Sequence, residues 1–128
     1  MYSDLAQAHI SNPRNPGPME GATHQGVAGT PGEGPYMILW FEVCAGVIRR
    51  AAFATYGCAA ATAAGSITTA LLTGRTVEQA LRLTAADIDL VLGGLPEGKE
   101  HCPRLAAEAV RNAFEKKGEE EDDRFTAV

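Results

Sequence analysis

The 128-residue sequence lacks the features that mark several large classes of protein. Its longest apolar run, residues 36–41, is far shorter than the roughly 20 residues that a membrane-spanning helix requires. No basic region followed by an apolar core opens the chain, so we expect no export signal and no membrane partner. No basic patch is evident, which argues against nucleic-acid binding. We therefore expect a cytoplasmic protein.

Cysteine is scarce too. The chain has three cysteines, an odd number without the spacing of a disulfide framework. In a reducing cytosol such thiols stay free and can bind metal. Cys44 falls in a predicted hairpin turn, where we expect a structural or incidental role. Cys58 and Cys102 remain as candidates for chemistry.

The composition is that of an ordinary soluble globular protein, with 45% hydrophobic and 21% charged residues. A chain of this length suffices for one domain. Its net charge is −5, and much of that charge comes from the acidic residues 119–123. We predict one domain over residues 1–115 and an acidic, disordered, solubilising tail over residues 116–128.

Apolar patterning predicts a small antiparallel sheet. Residues 36–43 and 47–56 have the pattern of two strands, and Cys44-Ala45-Gly46 suits the hairpin turn between them. The Gly- and Pro-rich segment 16–35 predicts a loop with at most a short strand near 23–28. Alternation in the first long strand predicts one shared face for Met37, Leu39, Phe41 and Val43.

Helices are predicted both before and after these strands along the sequence. The segments 3–10, 59–73 and 103–116 have helical patterns, and two short helices are predicted to begin at Thr76 and Thr84. The fold class is therefore α+β, in which a small antiparallel sheet of about three strands packs against four to six helices.

Two cysteines lie where helices are predicted to begin. Cys58 follows Thr55-Tyr56-Gly57 at the end of a strand, and Cys102 lies between His101 and Pro103. A helix start offers free N–H donors and partial positive charge, which favour a thiolate over a thiol. Two such sulfurs with an imidazole would form a soft metal or sulfur site if the fold brings them together. The alternative is that each cysteine is simply a small buried apolar residue.

Several separated motifs, in the same order, resemble the iron–sulfur cluster scaffolds of the NifU/IscU type. The matching segments are Met1-Tyr2-Ser3, His9 with Asn12-Pro13-Arg14-Asn15, Thr55-Tyr56-Gly57-Cys58, Thr73-Gly74-Arg75-Thr76 with Glu78-Gln79-Ala80, and Leu95-Pro96 with Lys99, His101 and Cys102. The resemblance covers roughly residues 1–115.

The sequence departs from this family at one motif. Such scaffolds usually carry Gly-x-Pro-x-Cys-Gly-Asp, whereas this chain has Gly29-Thr30-Pro31-Gly32-Glu33-Gly34-Pro35. Glu33 therefore takes the position of the first cysteine, and Pro35 takes the position of the aspartate. A carboxylate replaces one thiolate ligand, and proline offers no ligand at all.

The resemblance implies a scaffold that accepts sulfur from a cysteine desulfurase and uses iron to build a [2Fe–2S] cluster. It implies cluster or metal ligation by Cys58, His101, Cys102 and Glu33, with Cys102 as the sulfur acceptor. Further partners would be an iron or electron donor and the acceptor apo-proteins. A monomer or weak homo-oligomer is expected. The chaperone-recruiting Leu-Pro-Pro-Val-Lys of some members is altered here, from Leu95 to Lys99, which argues against that contact.

Two other interpretations remain open. The same four groups would make an acceptable tetrahedral Zn²⁺ site, so the chain could be a zinc-binding structural or regulatory descendant that no longer assembles clusters. An enzyme could instead use a Cys58–His101 pair for acyl or sulfur transfer. No oxyanion-hole motif or third orienting group accompanies that pair in the sequence, and we expect the protein not to be an enzyme.

Overall fold

The computed structural model describes residues 2–30 and 32–116, and these residues have the predicted α+β architecture. Within them, a three-stranded antiparallel sheet is combined with five α-helices and a final π-helical turn. The strands are β1 (His24–Gly29), β2 (Tyr36–Cys44) and β3 (Val47–Tyr56), in that spatial order. The helices are α1 (Asp4–Ser11), α2 (Ala59–Leu72), α3 (Val77–Leu81), α4 (Ala85–Val91) and α5 (His101–Arg111), and the π-helical turn is Asn112–Lys116.

The alternation along β2 directs one of its faces into the core. Met37, Leu39 and Phe41 are completely buried, whereas the residues between them are half-buried. A bulge between Glu42 and Val43 shifts the pairing of β2 with β3. Because a bulge changes the direction of the following side chain, Val43 is only half-buried, although the sequence alternation places it with the other three.

Helix α2 forms the centre of the helical layer, packed against β3, α1 and α5. Most of its residues are buried, which agrees with the predicted helix of small side chains packed closely against its neighbours. Gly65 shows how close the packing is. A Cβ atom there would overlap Cδ2 of Phe53 on β3 and lie 2.8 Å from Cγ of the same ring.

The two short helices begin at the predicted threonines. Thr76 and Thr84 each accept a hydrogen bond from the backbone N–H three residues later. The side chains of Gln79 and Asp87 accept hydrogen bonds from the backbone N–H groups of those threonines. Both helices therefore begin with a complete capping box.

The last helix begins two residues before the predicted position 103. Helix α5 starts at His101, so Cys102 and Pro103 both lie in its first turn. Proline is tolerated there because the first N–H groups of a helix have no acceptor within the helix. The predicted helical segment also changes to π-helical geometry at Asn112.

Every helix within the described residues falls short of the length and apolar character needed to traverse a bilayer. The acidic tail predicted over residues 116–128 lies outside the described residues, except for Lys116 at the end of the π-helical turn. The proposed division at residue 115 therefore stays a prediction.

Replacement of Gly26 by alanine should destabilise the fold strongly. Strand β1 lies so close to the last helix that a Cβ at Gly26 would overlap the carbonyl oxygen of Ala109 and lie 2.6 Å from the backbone nitrogen of Ala113. Relief requires backbone movement, so we expect Gly26→Ala to lower the free energy of unfolding by about 3 kcal/mol. Urea denaturation measures this loss.

Gly57→Ala is the matched control for that substitution. A Cβ at Gly57 would lie 3.5 Å from Cβ of Ala61 and 3.8 Å from Cβ of Pro35, which are ordinary contacts. Its effect on unfolding should be small. Equal free energies of unfolding for the two variants would show that β1 and α5 are not held at this distance.

Acidification should destabilise the fold through His9. This side chain is 5% exposed, and its Nδ1 lies 2.6 Å from Oγ of Ser66, which also accepts a hydrogen bond from the backbone N–H of Arg14. Burial, and then the charge of Arg14, lower the pKa of His9 below its ordinary value of 6.5. The unfolded chain therefore takes up a proton first, so the stability that neutral His9 contributes is complete above pH 6.5 and is lost as pH falls below it.

His9→Gln should flatten this acidic limb. The variant has no titrating group at that position, so its free energy of unfolding should fall less than that of the native chain between neutral pH and pH values below 6.5. Urea denaturation across that range checks the difference. Identical slopes in the two proteins would contradict the assigned role of His9.

Candidate metal and sulfur site

The end of β3 and the start of α5 bring two cysteines together. Cys58 is the N-cap of α2, separated from the end of β3 by Gly57 alone, and its side chain is half-buried. Cys102 is the second residue of α5 and is completely buried. Their Sγ atoms lie 3.9 Å apart, although 44 residues separate them in the chain. The fold thus brings together the two sulfurs that the sequence analysis selected.

His101 lies beside this pair, in contact with one of its members. Its Nε2 lies 3.6 Å from Sγ of Cys102. No hydrogen bond joins His101 to Cys58 among the described residues, so the imidazole is not placed as a base for that thiol. This arrangement gives no support to the Cys58–His101 enzyme interpretation.

The pKa values of the two thiols are shifted in opposite directions. Burial alone would raise the pKa of Cys58, but hydrogen bonds from the backbone N–H groups of Ala61 and Ala60, with smaller contributions from Cys102 and Lys99, bring it below the ordinary value. Burial raises the pKa of Cys102 to about 12, and the charge of Cys58 adds to the rise. The expectation that a helix start favours a thiolate therefore holds for Cys58 and is wrong for Cys102, because burial outweighs the helix start.

Glu33 is not beside the other three predicted ligands. It lies exposed in the loop between β1 and β2, where its backbone N–H donates to the carbonyl oxygen of Thr30 at 3.0 Å. Across residues 2–30 and 32–116, no three His, Cys, Asp or Glu side chains are arranged to hold a metal ion. Cys102 therefore contacts both Cys58 and His101, but these three side chains do not form a complete set of metal ligands.

Pro35, at the position of the family aspartate, faces this site. It lines a shallow groove together with His101 and Leu105. Next to it, Tyr36 and Tyr56 pair across β2 and β3, with ring centroids 6.1 Å apart. Tyr56 is 65% exposed. The sequence reasoning missed this aromatic pair, although counting back from the hairpin turn and allowing for one bulge would have paired these strand ends.

Cys44 lies far from the site, at the other end of the β2–β3 hairpin. It pairs with Val47 beside the turn, whereas Tyr36 pairs with Tyr56 near Cys58. The eight residue steps along β2 span roughly 27 Å. Cys44 is exposed and takes no part in the cysteine pair, as the sequence analysis predicts.

Comparison with known proteins decides the family. Residues 1–121 match the family model described as the NifU-like N terminal domain. The chain belongs to the NifU-like N-terminal domain family. This domain is 43% identical over 114 residues to the iron–sulfur cluster assembly scaffold protein IscU 1 of Archaeoglobus fulgidus, covering 89% of this chain and 74% of that protein. It is 38% identical over 116 residues to the iron–sulfur cluster assembly scaffold protein IscU of Azotobacter vinelandii, covering 88% of this chain and 90% of that protein.

Solved structures share the fold of this NifU-like domain. A putative iron–sulfur cluster assembly scaffold protein for the SUF system from Fervidobacterium islandicum superimposes with a TM-score of 0.67 at 18% identity, covering 88% of this chain and 95% of that chain. At this level of identity the similarity establishes the α+β fold only.

Alkylation should distinguish the cysteines of the folded chain. At neutral pH, iodoacetamide should modify Cys58 about tenfold or more faster than Cys102, because Cys102 is buried and its pKa is raised to about 12. Peptide mass mapping over time measures both rates, and exposed Cys44 serves as an internal reference. In urea the difference should disappear. Equal rates in the folded chain would contradict the assigned environments.

Proposed function

We propose that this NifU-like domain is a scaffold on which a [2Fe–2S] cluster is assembled and from which it passes to acceptor proteins. The proposal is supported chiefly by the contact between Cys58 and Cys102 beside His101. Relatives with 38% to 43% identity are named as iron–sulfur cluster assembly scaffolds. Thiolate sulfur is the usual ligand of such clusters, and histidine replaces some cysteines in Rieske centres.

The separation of the two sulfurs suits metal binding. Two thiolates bound to one tetrahedral metal ion at about 2.3 Å lie roughly 3.8 Å apart. The Sγ atoms of Cys58 and Cys102 lie 3.9 Å apart, so both could bind one ion with little rearrangement. Binding requires the Cys102 proton to leave, and metal binding characteristically drives such proton release.

The proposed fourth donor is Glu33. Its loop would have to fold over the site, because the side chain is exposed and separate from the cysteine pair. A carboxylate is a harder ligand than a thiolate and is less well matched to iron–sulfide. A cluster held by Cys58, Cys102, His101 and Glu33 should therefore be labile, which suits a protein that passes the cluster on.

Sulfur delivery is proposed to end at Cys102, as the family resemblance implies. The Cys102 thiolate would attack the outer sulfur of the persulfide on a cysteine desulfurase, whose own cysteine leaves as a thiolate. The S–S bond of the desulfurase persulfide breaks as an S–S bond to Cys102 forms, so this step needs no oxidant. Reduction of that sulfur to sulfide then takes two electrons from the electron donor. Because Cys102 is buried, transfer requires the thiol to be uncovered in the desulfurase complex.

A zinc-bound form is the second candidate. The same sulfur separation suits Zn²⁺, and the replacement of the family cysteine and aspartate by Glu33 and Pro35 weakens the site for iron–sulfide. In that case the chain is a structural or regulatory descendant of the scaffolds.

Anaerobic reconstitution with iron, cysteine and a cysteine desulfurase tests the function. We expect visible absorption from sulfide-to-iron charge transfer, with iron and acid-labile sulfide in equal amounts. Cys58→Ser and Cys102→Ser should each lose most of the cluster because each removes a sulfur ligand. Cys44→Ser should keep it, because Cys44 lies at the other end of the hairpin.

Loss of the cluster in Cys44→Ser, or its retention in both of the other variants, would contradict the proposed ligands. Tightly bound zinc in the native chain, with no cluster after reconstitution, would favour the zinc-binding descendant instead.

Glu33→Cys should lengthen the lifetime of the reconstituted cluster several-fold. A thiolate at position 33 restores the softer donor of the family motif and holds iron more strongly than a carboxylate. The decay of visible absorption in the presence of a chelator measures the lifetime. Glu78→Cys, at an exposed position on α3, is the matched control and should leave it unchanged. Equal lifetimes for the two variants would exclude position 33 from the site.

A further inference from the structure

The geometry of the Cys58 and Cys102 pair also permits an S–S bond between its members. Their Sγ atoms lie 3.9 Å apart, close to the contact distance of two sulfur atoms. An S–S bond is about 2.05 Å long, so bond formation requires the sulfurs to approach by roughly 2 Å. The third cysteine of the chain, Cys44, lies at the other end of the β2–β3 hairpin. Cys58 is therefore the thiol that is placed to react with a sulfur on Cys102.

The two members of the pair differ in their access and in their surroundings. Cys102 is completely buried, whereas Cys58 is half-buried at the N-cap of α2. Burial would raise the pKa of Cys58, but hydrogen bonds from the backbone N–H groups of Ala61 and Ala60 help to bring it below the ordinary value. Because the thiolate is the nucleophile in thiol–disulfide exchange, Cys58 is the attacking member of the pair.

The proposed function places the reactant for this attack on Cys102. A persulfide there carries one sulfur that must become sulfide before it enters a cluster, and this reduction takes two electrons. A thiolate 3.9 Å away can provide them, because an S–S bond to it forms as the S–S bond of the persulfide breaks. Hydrosulfide leaves readily, since hydrogen sulfide is a stronger acid than an ordinary thiol and the anion of a stronger acid leaves faster.

We propose that Cys58 releases the outer sulfur of a Cys102 persulfide as hydrosulfide. The Cys58 thiolate attacks Sγ of Cys102, a Cys58–Cys102 disulfide forms, and the outer sulfur leaves with its proton and with the electron pair of the broken bond. The outer sulfur is thus reduced as the cysteine pair is oxidised from two thiols to a disulfide. The electron donor then reduces the disulfide and restores both thiols as ligands. This inference rests on the proposed delivery of sulfur to Cys102.

Anaerobic sulfur loading of the full chain, without iron, tests this step. The chain is incubated with a small amount of a cysteine desulfurase and one equivalent of cysteine, and no reductant is added. The native chain should release about one sulfide per chain and should form the Cys58–Cys102 disulfide. A sulfide assay and peptide mass mapping without reduction measure the two products.

Cys58→Ser is the variant that isolates the attacking thiol. Serine is a preferred N-cap residue, so the variant should keep the start of α2. Without the attacking thiol, the Cys102 persulfide should persist at least about tenfold longer than in the native chain. Cys44→Ser is the matched control, because it also loses one thiol, and it should release sulfide as the native chain does. Free cysteine is equal in all three samples, so release by that thiol would be equal too.

Three kinds of result would overturn the inference. A Cys102 persulfide equally persistent in the native chain and in Cys58→Ser would show that Cys58 does not attack it, and would leave the proposed sulfur delivery intact. Sulfide release without the disulfide, or a persulfide that appears on Cys58 of the native chain, would assign a different reaction to the pair. Absence of a persulfide from Cys102 in Cys58→Ser would contradict the proposed delivery of sulfur as well as this step.

Discussion

The close contact of α5 with the sheet is the constraint on which the candidate site depends. At Gly26, β1 leaves no space for even a methyl group between itself and the backbone of Ala109 and Ala113. The same helix packs against α2, whose N-cap is Cys58. Since both helices are held against one sheet by small residues, the first turn of α5 is fixed beside the start of α2. The 3.9 Å distance between the two sulfurs follows from that packing.

The packing also gives the two cysteines different chemistry. Cys58 lies at a half-buried helix start, where backbone N–H groups help to lower its pKa. Cys102 is buried under the same packing, and its pKa rises to about 12. A thiol with a lowered pKa and a buried thiol with a raised pKa, with His101 in contact with the latter, form a partial set of donors for a metal ion. The proposed cluster is expected to be labile because the carboxylate of Glu33 is a hard donor and because Glu33 lies in a separate loop.

Much of this arrangement could be predicted from sequence. Apolar patterning predicted β2 and β3, and threonine capping boxes predicted where α3 and α4 begin. For β1 the sequence indicated a loop with at most a short strand near residues 23–28, and the structure has a strand at His24–Gly29. The motifs around Cys58 and Cys102 selected both residues for one candidate site, and the fold places their Sγ atoms 3.9 Å apart. These features depend on local patterning or on family motifs, both of which are present in a single chain.

The remaining features depend on tertiary packing, which the sequence does not display. Burial reversed the expected protonation of Cys102, and the bulge at Glu42 turned Val43 away from its predicted face. The exposed position of Glu33 and the place of Pro35 beside His101 both result from how the β1–β2 loop lies on the domain. A groove lined by Leu71, Leu83 and Leu90 likewise forms only because α2, α3 and α4 meet there.

Iron X-ray absorption spectroscopy of the reconstituted protein tests the proposed ligand set most directly. A [2Fe–2S] cluster held by two thiolates, one imidazole and one carboxylate has on average about three sulfur and one nitrogen or oxygen neighbour per iron. The proposed ligand set predicts that ratio; its members are Cys58, Cys102, His101 and Glu33. About four sulfur neighbours per iron would contradict it, and would indicate a cluster held by thiolates alone, as when two chains share one cluster through their Cys58 and Cys102 pairs.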